Sequence, residues 1–144
     1  MKKNNVLYIV LILLTALALA SIAADGGRKF TTTLTGEAEV NTEGVPNQGD
    51  LDGIGTATIT LNRGQGEVCW DITVSGVDTI TAAHIHVGEA GVAGGVVVPL
   101  SPTSGCTNAD RDLIKAIIQN PEGYYVNVHN TPFPAGALRG QLGK

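Results

Sequence analysis

Gly55-Thr56-Ala57-Thr58-Ile59-Thr60-Leu61, the turn Asn62-Arg63-Gly64-Gln65-Gly66, and Glu67-Val68-Cys69-Trp70-Asp71-Ile72-Thr73-Val74 form the stretch on which the fold is decided. Successive side chains of a strand point to opposite faces. Val68, Trp70, Ile72 and Val74 therefore share one face, and Glu67, Cys69, Asp71 and Thr73 the other. Two β segments joined by a short glycine-rich turn read as a hairpin. Trp70, the only tryptophan of the chain, is expected in the core, where a large aromatic surface contributes most.

The same grammar extends in both directions. Upstream, Phe30 to Val40 reads as a first strand, and Asn41 to Gly53 as a long loop by its glycine, proline and aspartate content. Downstream, Thr79 to Val87 is a strand, Gly88 to Gly95 a glycine-rich loop, and Gly95 to Leu100 a strand that Pro99 assigns to an edge or a strand end. The apolar stripe Leu113, Ile114, Ala116, Ile117 and Ile118 predicts one short helix, opened by Thr107 or Asn108 as N-cap and stopped at Asn120-Pro121 with Gly123. Its simplest use is as a lid over one edge or end of the sheet. Tyr124 to Val128 and Gly136 to Leu142 close the chain as the last two strands. Seven or eight short strands and one helix predict an all-β, antiparallel sandwich or barrel with Greek-key links.

The amino terminus follows another logic. Lys2 and Lys3 precede an almost wholly apolar run, Val6 to Ala20, followed by Ser21-Ile22-Ala23, the pattern of a secretory signal peptide. The run is shorter than the ~20 residues a spanning helix needs, so no membrane span is expected in the mature chain. Residues 1–23 are read as the signal, 24–29 as a short linker and 30–142 as one domain. The formal charge of −4 becomes −6 once Lys2 and Lys3 leave with the signal. The remaining basic residues are scattered and aromatics are few, which argues against a nucleic-acid partner. In an oxidising, extracellular or periplasmic setting, Cys69 (in a strand) and Cys106 (in a loop) are expected to pair as a structural disulfide, with no Cys-x-x-Cys spacing to indicate redox work. No serine stands in a Gly-x-Ser-x-Gly context, so nucleophilic hydrolysis has little support.

Chemistry concentrates in the histidines. The chain has three. His84 and His86 lie one residue apart in Ala82-Ala83-His84-Ile85-His86-Val87-Gly88 and so share a strand face; His129 ends Tyr124-Tyr125-Val126-Asn127-Val128-His129. Three imidazoles can hold Zn²⁺ with an open fourth position, or Cu²⁺, copper being the tighter by the Irving–Williams order. The bland alternative is that they hydrogen-bond to backbone or tyrosine and order the strands. On the last strand Leu138 and Leu142 are expected in the core, with Ala137, Arg139 and Gln141 on the other face. Arg139 is then either solvated or paired with a carboxylate, or an anion-binding group near the metal. One of Tyr124 and Tyr125 is expected in the core and the other beside His129.

Taken in order, Ala83-His84-Ile85-His86-Val87-Gly88, Gly94-Gly95-Val96-Val97-Val98-Pro99-Leu100, a cysteine, a helix ending Asn120-Pro121, Tyr124 to His129, and Gly136-Ala137-Leu138-Arg139-Gly140-Gln141-Leu142 closely resemble the CHRD domain. That domain is named from the repeated modules of chordin and occurs alone in secreted prokaryotic proteins. The resemblance runs from about Phe30 to Leu142. It implies an extracellular binding or scaffolding role, since chordin sequesters bone morphogenetic proteins, with a protein or a surface as the partner. A second resemblance, to copper/zinc superoxide dismutases, rests on the His-x-His strand, the later histidine and the glycine-flanked Arg139. It implies a superoxide dismutase-like barrel, beside the immunoglobulin-like form that the strand pattern also allows, and, as an alternative function, copper-dependent redox chemistry on superoxide. In that comparison His84 and His86 match paired copper ligands, His129 a further ligand and Arg139 the arginine that steers an anion. The four copper-binding histidines and the zinc loop of that family are not matched by three histidines.

Overall fold

The computed structural model describes residues 26–143; the signal-peptide reading falls outside them. Eight strands form one sheet: β1 (Arg28–Thr35), β2 (Ile54–Asn62), β3 (Glu67–Ser75), β4 (Ile80–Val87), β5 (Val96–Leu100), β6 (Ser104–Asn108), β7 (Tyr124–Asn130) and β8 (Leu138–Gln141). The helix α1 (Arg111–Gln119) and a 3₁₀ turn at Pro121–Gly123 lie between β6 and β7. Strand order is β5-β4-β7-β8-β1-β2-β3-β6, and every pairing is antiparallel. The sheet curls until its two edge strands, β5 and β6, come together, giving a nearly closed barrel.

The hairpin is where the sequence put it, in full register from Ile54↔Ser75 to Asn62↔Glu67. Its inward residues Ala57, Ile59, Leu61, Val68, Trp70 and Ile72 are buried. With Leu34, Ala83, Ile85, Val98, Val126, Val128, Leu138 and Leu142 they fill the barrel. Full burial of each such aliphatic side chain stabilises by about 1.5–3 kcal/mol relative to exposure. Trp70 also donates its indole N–H to the Ser101 carbonyl, which satisfies its one polar group. Helix α1 inserts Ile114 and Ile117, both fully buried, into this core and touches β2 and β3.

The joint between β8 and β1 is tight. Only Thr35↔Arg139 pair there, and a Cβ on Gly140 would run into the Thr33 carbonyl, so this seam requires glycine.

The main departures from the sequence reading are at β1, at Cys106 and at the helix cap. β1 spans Arg28–Thr35, so it takes in the last two residues of the expected linker and stops five residues before Val40. Glycine and a turn follow Thr35, and the alternation of Gly36 to Val40 belongs to a folded-back loop instead. Cys106 is in strand β6, directly opposite Cys69 of β3, rather than in a loop. The two form the expected disulfide. Because β6 continues to Asn108, the helix cap passes to Asp110, whose Oδ1 accepts from the N–H groups of Asp112 (2.8 Å) and Leu113 (3.1 Å).

Candidate metal site

Antiparallel register builds the site. On β4 and β7 the pairs Ala82↔His129, His84↔Asn127 and His86↔Tyr125 lie side by side, and β8 adds Arg139 opposite Asn127 and Gln141 opposite Tyr125. The residues between these are the apolar ones that fill the barrel, so this group occupies the outer face. That face is not solvated: Tyr125, Asn127 and Arg139 are 1–2 % exposed, and His86, His129 and Gln141 each 8 %. Three loops cover it, through Glu39 and Val40, through Gly88 to Gly95, and through Pro134 to Ala137. The protein thus has an apolar core inside the sheet and a polar one outside it.

The three sequence-predicted histidines converge here. Ring centroids are 4.8 Å apart for His84–His129, 5.5 Å for His84–His86 and 6.1 Å for His86–His129. One nitrogen from each lies within 4.8 Å of the others. In tetrahedral coordination with metal–nitrogen bonds near 2.05 Å, the nitrogens would be about 3.3 Å apart. The set needs only a modest contraction, and His84 Nδ1 and His129 Nε2 are already 3.0 Å apart.

The carbonyl partners define the protonation. His86 Nδ1 is 2.9 Å from the Gly94 carbonyl and His129 Nδ1 3.1 Å from that of Pro134. A carbonyl only accepts, so both Nδ1 atoms carry the proton and both Nε2 atoms carry a lone pair. This is the arrangement that orients metal-binding histidines. In the absence of an ion His129 Nε2 accepts from His84 Nδ1–H, a hydrogen bond that a cation bound by all three rings would replace, while His86 Nε2 is buried without a partner. Glu67, Cys69 and Cys106 also cluster, but both sulfurs are consumed by the disulfide.

Burial lowers the pKa of all three imidazoles. For His84 and His129 neighbouring histidines add to the effect; for His86 the Gly94 hydrogen bond opposes it and Arg139 reinforces it. Neutral imidazole is the form that binds a cation. The same shifts make stability pH-dependent. Between the depressed folded values and the ordinary value near ~6.5, the unfolded chain binds more protons, so this contribution is complete above that range and lost as pH falls through it. Glu39 has the opposite sign: desolvation raises its pKa against the pull of Arg139, so its contribution is complete below the ordinary carboxylate range and fades as pH rises. Metal-free protein is therefore expected to lose urea resistance between pH 7 and pH 5.5, and His84→Ala/His86→Ala to lose less. Equal losses in the two would refute the assignment to the histidines.

Arg139 is neither solvated nor at the surface. Its guanidinium stacks on the Tyr125 ring, 3.5 Å from the centroid. It donates to the carbonyls of Val92 (2.9 Å) and Glu89 (2.7 Å) and to Gln141 Oε1 (3.2 Å). Gln141 Nε2 donates in turn to the Gly88 and Glu122 carbonyls, and the Tyr125 hydroxyl meets Gly94. The 88–95 loop is therefore gripped from the sheet. Tyr125 is the tyrosine of the polar face, but it stacks on His86 (4.9 Å, 15°) rather than beside His129; Tyr124 packs against the core.

Sequence reasoning missed Asn127 and Glu39. Asn127 carried a usable signal: flanked by Val126 and Val128, it shares its face with His129 by parity. Glu39 had none, since it reaches the site from a loop remote in sequence. An open cleft of about 660 Å³, which none of the histidines lines, runs between the 37–46 and 90–91 loops over Thr31, Thr33, Thr35 and Arg139. No helix among the described residues is long and apolar enough to cross a membrane.

Comparison with known proteins returns the family profile of the CHRD domain, matching residues 30–142. Neither the curated proteins nor the solved structures compared with the chain gave a match. The profile covers most of the chain and all eight strands apart from the first two residues of β1, so the chain belongs to the CHRD domain family.

Proposed function

We propose that this protein is a secreted extracellular binding module that holds one copper ion through His84, His86 and His129, with zinc as the second choice. The observation that carries the reading is the pair of lone pairs at His86 Nε2 and His129 Nε2, each fixed by a backbone carbonyl on the opposite ring nitrogen. A purely structural histidine has no need of a buried, partnerless Nε2. Bound there, the ion would supply a Lewis acid with one exchangeable position. His84, only half-buried, gives it a way in. The exported state rests on the N-terminal pattern together with the disulfide. The open cleft over Thr31 to Thr35 and Arg139 is the surface offered to a protein or extracellular surface partner.

Superoxide chemistry is the less supported reading. It asks for a free cationic group beside the metal, and the guanidinium of Arg139 is committed to carbonyls and to Tyr125. We assign Arg139 as a positioning residue for the loop that orients His86.

Loading the mature protein with Cu²⁺ or Zn²⁺, followed by exhaustive dialysis and metal analysis, tests the site. One equivalent of copper is expected in the wild type. The His84→Ala/His86→Ala protein should bind more than ~100-fold more weakly, beyond what loss of an outer partner costs. Equal retention, or none by the wild type, refutes the site. Superoxide turnover by the loaded protein would bring back the redox reading.

A further inference from the structure

Three buried acceptors of this polar core have no partner: His86 Nε2, Asn127 Oδ1 and, in the covering loop, Glu39 Oε2. Asn127 is 2 % exposed, lies opposite His84 in the ladder, and shares strand and face with His129 and Tyr125. An orphaned buried acceptor costs about 1–3 kcal/mol. Acceptors such as His86 Nε2 and Asn127 Oδ1 cannot relieve each other, because neither brings a proton.

The direction of the Asn127 amide is set by Glu39. The Glu39 carboxylate, 4 % exposed, and the Asn127 amide nitrogen both border Gly136, and Asn127 helps to lower the carboxyl pKa against burial. A carboxylate only accepts, and Nδ2 is the end of the amide on its side, with Oδ1 left over. Gly136 sits at φ +157°, and a side chain there would collide with both the carboxylate and the amide nitrogen. Packing therefore holds the carbonyl end of the amide free.

We propose that Asn127 Oδ1 accepts a hydrogen bond from a protic oxygen ligand, water in the resting state, that occupies the fourth position of the metal. This rests on the copper reading above. The cation takes the His86 Nε2 lone pair, and its water supplies the missing proton to Oδ1, so these two orphans of the strand face are satisfied together. Three imidazoles leave one position for such a ligand. An acceptor beside it favours ligands that bring a proton, such as water or hydrogen peroxide, over aprotic anions such as azide. Glu39 acts one step further out, as the group that orients the amide.

The test uses mature wild type, Asn127→Leu and Asn127→Ser, each loaded with one equivalent of Cu²⁺, and Asn127→Ser serves if the leucine variant fails to fold. Electron–nuclear double resonance in H₂O and D₂O reads exchangeable protons near copper, and titration reads affinity. The wild type should show strongly coupled exchangeable protons. The leucine variant should keep the three-nitrogen copper signature, with affinity about tenfold lower as for an outer partner, and changed proton couplings. The serine variant, which still offers an acceptor but at a shorter reach, should also shift them. Wild-type copper without exchangeable protons, or couplings unchanged in both variants, overturns the assignment of Asn127 while leaving the metal site standing. Failure of the wild type to hold copper overturns both.

Discussion

Arg139→Leu is expected to destabilise the protein by about 3–4 kcal/mol, as a fall in urea midpoint at unchanged slope. The substitution is close in volume to the arginine stem, so packing loss is the smaller part. What goes is the stacked cation on Tyr125 and the donors to Val92, Glu89 and Gln141. Glu39 would also lose the charge that holds its pKa down against burial. Its folded pKa then rises further, so the penalty should be larger at pH 7 than at pH 4, where the carboxyl is neutral. Arg139→Lys keeps the charge but not the planar fork, and should recover part of the loss. A penalty below ~1 kcal/mol for the leucine variant, the range of an exposed ion pair, would show that the loop does not depend on this residue.

Replacing Cys69 and Cys106 together by serine should cost about 4 kcal/mol, from the unfolded-state entropy released when the cross-link is removed. The bonded residues are 37 apart in sequence. They join β3 to β6, the outermost strand on its side, and β6 has no other ladder neighbour in the sheet order. The loss should therefore be uneven. Amide exchange in β6 and at the start of α1, which follows it directly, should accelerate more than in β4 or β7. The same pattern is expected of wild type in reductant. Uniform acceleration would place the whole effect in the unfolded chain; an unchanged midpoint would mean that the edge holds without the bond.

The strands were legible because alternation and β-branched residues report directly on a pleated, half-buried surface. The hairpin at Gly55–Val74 and the edge position of β5 followed from local pattern alone. The three histidines were legible as one group because parity within β4 and a matching setting in β7 put them on compatible faces. The outer polar core was not. Alternation assigned Arg139 and Gln141 to the side away from the apolar core, and that side is ordinarily water. The long loop carrying Glu39, the glycine-rich loop at 88–95 and the 134–137 loop convert it into an interior, and where a loop lands is a tertiary matter. Asp110 replaced Thr107 and Asn108 as cap for a similar reason: pairing with β3 makes a strand, β6, of a segment that local pattern reads as a loop.

The 88–95 loop is held by its main chain. Gly88, Glu89, Val92 and Gly94 all offer carbonyls to side chains of the sheet, while the side chains of Glu89, Ala90, Val92 and Ala93 point outward and are exposed. An amide backbone is the same whatever residue carries it. The grip is therefore indifferent to what those four positions spell, and the loop is a surface that can be rewritten at little cost to the fold beneath. A family built this way can diversify what it meets outside the cell by changing the tip of this loop, while the residues that clamp it, Tyr125, Arg139 and Gln141, stay as they are.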